Sequence, residues 1–126
     1  MNKLILAVDD SRTVRASLQY TLSKNGYEVE LAENGQEGLE LLHDLSDKRK
    51  KPAMIISDIN MPVMDGIEFI KEVKSKIKFK FIPILVLTTE SQKKKKMEGK
   101  EAGAAGWLVK PFEEEQLLGV VKKFVK

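Results

Sequence analysis

MIISDINMPVMDG, Met54 to Gly66, changes character at its fifth residue. Met54 to Ser57 is a short run of apolar and small residues that reads as a strand covered on both faces. Asp58 stands at its carboxyl end. The residues that follow, through Pro62 to the Asp65-Gly66 turn signal, form a loop, and Ile67, Ile70 and Val73 then recur at helical spacing. A buried strand that delivers a carboxylate to a loop and then to a helix is one unit of a parallel α/β sheet.

The same unit recurs on both sides of this stretch. Lys3 to Val8 reads as a strand ending at Asp9-Asp10, followed by a helix from about Arg12 to Asn25 with Val14, Leu18 and Leu22 on one face and Gly26 as its stop. Glu28 to Ala32 is a short alternating strand. Asn34 caps a second helix carrying Leu39, Leu41 and Leu42, and Asp47 to Lys51 is a solvated loop. Beyond the central unit, Pro83 precedes a strand from Ile84 to Leu87 that ends at Thr88. Gln92 to Ala102 is helical by position, yet poor in apolar residues and interrupted by Gly99, so it should be the least firmly held helix. Trp107 to Val109 forms a fifth strand ending at Lys110, and Leu117, Val121 and Phe124 give the last helix its buried side.

Five such repeats with right-handed crossovers make one parallel sheet with helices on both faces. The carboxyl ends of its strands share an edge, where open α/β sheets bind ligands. Asp9, Asp10, Asp58, Thr88 and Lys110 would therefore converge. Crowded carboxylates raise one another's pKa, so a cation is needed to keep them all ionised near neutral pH. Mg²⁺ suits one or two carboxylates, waters and a phosphate oxygen. One aspartate could then serve as a nucleophile that forms an acyl phosphate, with Lys110 balancing the added charge.

Composition narrows the remaining possibilities. The 126 residues are the size of one domain, and the absence of cysteine rules out disulfides and thiolate metal sites. The first apolar run, Leu4 to Val8, is too short for a signal segment, and no run reaches the length of a membrane span. A cytoplasmic location with no membrane partner is expected. The net charge of +3 comes with both signs interspersed and with no reading helix, aromatic platform or basic tail, so no nucleic-acid partner is expected either.

LILAVDDSRTVR, IISDINMPVMDG, ILVLTTE and AGAAGWLVKPF resemble, in order and spacing, the receiver domain of two-component response regulators. The resemblance covers essentially the whole chain, 1–126, and leaves no output domain, which is the pattern of single-domain chemotaxis regulators of the CheY type. It implies a flavodoxin-like, doubly wound, five-stranded parallel sheet of order 2-1-3-4-5. Asp58 is then the phosphoacceptor, Thr88 bonds the phosphoryl oxygens and Lys110 pairs with the phosphate. Asp10 binds Mg²⁺ directly, Asp9 through water, and Asn60 through its backbone carbonyl, with Asp58 completing the metal set. The same resemblance implies a cis Lys110-Pro111 bond.

By this resemblance the protein is a phosphorylation-activated switch, a regulatory phosphoacceptor with assisted self-phosphorylation and autodephosphorylation rather than primarily an enzyme. Its partners would be a histidine kinase, a phosphatase and a flagellar motor switch protein, with the chain itself a monomer. One alternative is a phosphorelay intermediate that passes the phosphoryl group from Asp58 to a histidine phosphotransfer protein. Another is a small phosphohydrolase of the haloacid dehalogenase type, although Asp9-Asp10-Ser11 lacks that family's Asp-x-Asp arrangement.

Two positions depart from the family pattern. Trp107 stands where a tyrosine or phenylalanine usually acts as the switch aromatic, and a larger ring needs a larger inward cavity. Thr89 stands where a small residue is common and could restrict approach to the phosphoryl group. Asn60 and Glu90, two positions beyond Asp58 and Thr88, resemble the chemotaxis pattern and favour a short-lived phosphoryl state. His43 reads as a solvated helix residue, Lys93 to Lys96 as a solvated face, and Met61 and Met64 as loosely packed near the site.

Overall fold

The computed structural model describes residues 2–89 and 93–125, the side chain of Lys93 excepted. Ten elements alternate along the chain: β1 (Leu4–Val8), α1 (Arg12–Lys24), β2 (Glu28–Ala32), α2 (Gly35–Asp47), β3 (Met54–Asp58), α3 (Gly66–Lys74), β4 (Ile84–Thr89), α4 (Lys93–Ala102), β5 (Gly106–Lys110) and α5 (Glu114–Phe124). Every strand pair is parallel, and the order is β2-β1-β3-β4-β5. The flavodoxin-like sheet expected from the sequence is therefore the observed one.

Alternation along the strands divides the core in two, because successive side chains point to opposite faces. Leu6, Val8 and Ile55 pack with Leu39, Leu42, Phe69, Ile70 and Val73 of α2 and α3. Ile5, Ala7 and Ile56 pack with Leu18 and Leu22 of α1 and Leu117 and Val121 of α5. β1 and β3 are covered on both faces and buried throughout, whereas β2, at the sheet's edge, alternates between exposed and half-buried positions before its buried last residue, Ala32. The core positions read from the pattern are buried, except that Val14, Leu41 and Phe124 are only half-buried.

Side-chain caps fix where the first three helices begin. Ser11, Asn34 and Asp65 each accept a hydrogen bond from the backbone N–H three residues on, at Val14, Glu37 and Glu68. Asp65, expected as a turn residue, is thus the N-cap of α3. Asp47 closes α2 instead of opening the following loop. Gly26 follows α1 with φ of 91°, the left-handed stop that glycine supplies most readily. Met61 is a correction of a different kind: it is buried in the core rather than loosely packed.

Gly99, the expected weak point of α4, is the only buried position among that helix's described residues. A Cβ there would lie 3.6 Å from Ile67 Cδ1 and 3.7 Å from Val86 Cγ2, ordinary contact distances. Gly99→Ala should therefore add packing and helix propensity together, stabilising the protein by about 0.5–1 kcal/mol. Chemical denaturation of the two proteins should show a higher midpoint at an unchanged slope. A lower midpoint would mean that α4 sits closer to the sheet than its glycine implies.

Candidate functional site

Asp9 follows β1 and is fully buried, while Asp58 ends β3 with a relative exposure of 7%. The paired register of β1 with β3 aligns Val8 with Ser57 and so brings these two carboxylates to neighbouring strand ends. Asp9 Oδ1 accepts from the Ser11 N–H at 2.8 Å, and its Oδ2 accepts from Lys110 Nζ at 3.0 Å. Lys110 ends β5, and its Nζ also lies 3.3 Å from Asp58 Oδ1. One ammonium thus bridges two carboxylates. The Ile59 N–H donates to Asp58 Oδ1 at 2.8 Å and fixes the orientation of that carboxylate.

The loop after Asp58 is held by backbone contacts. The Gly66 N–H donates to the Ile59 carbonyl at 2.7 Å, and the Gly35 N–H at the start of α2 donates to the Met64 carbonyl at 3.1 Å. A Cβ on Gly66 would run into the Asp58 carbonyl, so this close approach requires glycine. The cis Lys110-Pro111 bond is present at the end of β5.

Burial, and then the neighbouring charge of Asp9, push the Asp58 carboxyl above the usual carboxylate range, against the opposing pull of Lys110 and of the Ile59 N–H. Burial pulls Lys110 down, but the hydrogen bond from its ammonium to Asp9 and the charge of Asp58 outweigh it, and its net direction is upward. The site therefore carries more negative charge than one lysine offsets. Asp9, Asp10 and the Asp58 carboxylate each offer an oxygen within 4.8 Å of the others, and Asp10 is exposed to solvent. Such a set of hard oxygen donors fits Mg²⁺.

The other residues expected at this edge are placed less directly. Thr88 is buried near the end of β4, one position beyond the Leu87 that pairs with Asp58. Thr89 is exposed and sits in register with Lys110 at the rim. Asn60 is exposed two residues beyond Asp58. Glu90 lies outside the described residues, as does Gln92 at the expected start of α4. His43 is exposed on α2, edge-on to the buried ring of Phe79.

The contacts of two residues escape a sequence reading. Arg15 Nη1 donates to the Asp9 carbonyl at 2.8 Å while its Nη2 lies 3.6 Å from Glu33, which ties α1 and the end of β2 to the acidic turn. Its only signal in the sequence was its position one helical turn after Ser11, in a chain with few arginines. Lys96 places its ammonium 4.1 Å from the centroid of the half-buried Trp107 ring. Nothing in the run Lys93 to Lys96 distinguishes that lysine from its neighbours, so the solvated face expected there includes one residue that covers the indole.

Comparison with known proteins gives this edge its context. The model of the response regulator receiver domain matches residues 5–122. The response regulator MprA of Mycobacterium leprae is 41% identical over 97% of this chain, and the chain spans 50% of its length. The sensor histidine kinase CheAY of Helicobacter pylori is 40% identical over 98% of the chain, which spans 15% of that protein. The solved structure of the chemotaxis response regulator CheY4 of Vibrio cholerae is 46% identical, covers 99% of this chain and 100% of its own, and superposes with a TM-score of 0.86. A five-stranded sheet in this order, an acidic pair after its first strand and a sequence match across nearly all of its length place the chain in the response regulator receiver domain family.

Proposed function

We infer that this receiver is a phosphorylation-activated switch whose phosphoacceptor is Asp58. The observation that carries the reading is the meeting of Asp9, Asp10 and Asp58, with Lys110 spanning Asp9 and Asp58. The donor would be a phosphohistidine of a histidine kinase. An Asp58 carboxylate oxygen attacks phosphorus, the P–N bond breaks, and the released imidazole keeps the bond's electron pair and takes up a proton. Mg²⁺ held by Asp9, Asp10, Asp58 and the Asn60 carbonyl would neutralise the carboxylates and the incoming phosphoryl oxygens. The Lys110 ammonium then turns from Asp9 towards the phosphoryl group, and Thr88 donates its hydroxyl to a phosphoryl oxygen. Thr89, at the rim, limits approach to the acyl phosphate, and Asn60 and Glu90 set its lifetime.

The output is a change on the face formed by α4 and β5. Thr88 and Trp107 belong to adjacent strands, with Trp107 in register with Val86. Drawing Thr88 towards the phosphate opens space for the indole, which must leave Lys96 to enter it. Beryllofluoride at Asp58 should therefore shift Trp107 emission to shorter wavelength, while Mg²⁺ alone leaves it nearly unchanged. Thr88→Ala should bind the mimic without the shift. A spectrum that responds to Mg²⁺ and ignores the mimic would remove Trp107 from the switch.

The likeness to CheY4 across both chains favours a chemotaxis role with a flagellar motor switch protein and a phosphatase as partners, acting as a monomer in the cytoplasm. The phosphorelay reading differs in where the phosphoryl group goes. Phosphorylated protein mixed with motor-switch fragments should bind them and keep its label; loss of label to an added histidine phosphotransfer domain would favour the relay. Family membership removes the ground for the dehalogenase alternative. No helix among the described residues is long and apolar enough to cross a membrane.

A further inference from the structure

The edge of the sheet opposite Asp58 carries a charge and an apolar surface that phosphotransfer does not use. The strands are parallel, so the segments preceding β3 and β4 lie side by side at their amino ends. The first contains Lys48, Arg49, Lys50 and Lys51, all exposed, and the second contains the exposed Lys78 and Lys80. Among the acids nearby, Glu72 pairs with Lys76 at 3.4 Å, and Asp47 and Glu28 stand at the ends of α2 and β2. The balance at this edge is strongly positive.

Two large apolar side chains project from the second of these segments. Ile77 is 85% exposed and Phe81 is 82% exposed, although both lie in a segment held by its own hydrogen bonds. Phe79 and Ile82, their neighbours in sequence, are buried in the core and anchor it. Turn hydrogen bonds run from the Phe79 and Lys80 N–H groups to the Lys76 carbonyl. Lys74 Nζ donates to the carbonyls of Lys80 at 3.0 Å and Ile82 at 2.9 Å, which clamps the segment against α3. The backbone is thus held in a form that directs Ile77 and Phe81 outward, and Lys80 Nζ stands 5.1 Å from the Phe81 ring centroid.

We propose, against the sequence expectation of no membrane partner, that this amino-end surface, with Ile77 and Phe81 as apolar anchors among its lysines, docks the protein reversibly on an anionic lipid bilayer. Charge complementarity selects the occupant: clustered lysines gain from the diffuse negative potential of a headgroup layer. The shape agrees with it. A protein partner must offer a pocket to each protruding side chain, whereas a bilayer receives isolated apolar side chains between headgroups without one. Docking in this way leaves the Asp58 edge facing away from the membrane and open to a phosphodonor.

The test is sedimentation of the full chain with vesicles of phosphatidylcholine alone or mixed with phosphatidylserine. Binding should appear with the mixed vesicles and fall as salt rises. The double variant Ile77→Ser with Phe81→Ser, and separately Lys78→Glu with Lys80→Glu, should each weaken partitioning by on the order of tenfold or more. Because all four side chains are exposed, far-ultraviolet circular dichroism should be unchanged in both variants. Equal partitioning onto the two vesicle types, no partitioning onto either, or full binding by the serine variant would overturn the proposal. So would sedimentation velocity showing that these side chains join two copies of the chain, with association lost in the serine variant.

Discussion

Asp58→Asn will melt a few degrees higher than the wild-type protein at pH 7 in the absence of Mg²⁺, even though it removes the proposed phosphoacceptor. The reason is that the folded protein holds the Asp58 carboxyl above its ordinary range, first through burial and then through the charge of Asp9. Between the unfolded carboxyl's pKa of about 3.9 and the raised folded value, the folded state binds the proton more tightly, so wild-type stability falls as pH rises through that window. Above the window the whole penalty of the ionised group is present. Asparagine abolishes it. The advantage of the variant should therefore shrink as pH is lowered towards 4, and melts at pH 4 and pH 7 will show it. Mg²⁺ acts in the opposite sense, stabilising the wild type at pH 7 by offsetting the same repulsion and stabilising Asp58→Asn much less. A variant less stable than wild type at pH 7 would mean that the Lys110 ion pair outweighs the burial of Asp58.

Gly66→Ala should be the most damaging single methyl in the protein. Its Cβ would meet the Asp58 carbonyl and approach the Ile59 Cα to 2.7 Å, both of them backbone atoms that cannot turn aside as a side chain could. Relief requires the loop to move, and the loop is what positions Asp58: the Gly66 N–H bonds the Ile59 carbonyl, whose own N–H orients the carboxylate. The expected cost is about 3 kcal/mol, the upper end of what overpacking a folded core exacts. Mg²⁺ affinity should fall with it, because one carboxylate of the set is displaced. Equilibrium denaturation together with Mg²⁺ titration checks both, and a variant with wild-type stability would show that the loop is freer than its hydrogen bonds indicate. Gly99→Ala, which adds the same methyl against side chains at ordinary distance, is the control of opposite sign.

These contrasts mark what a sequence can and cannot convey. Four strands were legible because each is a short apolar run closed by a polar residue of distinct chemistry, and Glu28 to Ala32 by its alternation; strands alternating with helical spacing leave few topologies to consider. Asp9, Asp58 and Lys110 were legible as a group for the same reason, since a parallel sheet brings its carboxyl ends together. The bridging position of Lys110 between two carboxylates was not, because it depends on the reach of one side chain across the sheet edge. Nor was the role of Asp65, where turn and helix-cap signals use the same residue type. Lys96 over Trp107 and Lys74 over the segment before β4 belong to a third class, in which one lysine among many acquires a partner only through folding.

The proposed switch depends on Asp58 accepting a phosphoryl group, and intact-mass analysis after incubation with acetyl phosphate and Mg²⁺ tests that most directly. The expected result is one added phosphoryl group, labile to base, on the wild-type chain, none on Asp58→Asn, and none when Mg²⁺ is chelated. Equal labelling of Asp58→Asn would contradict it and move the phosphoacceptor elsewhere on the acidic edge.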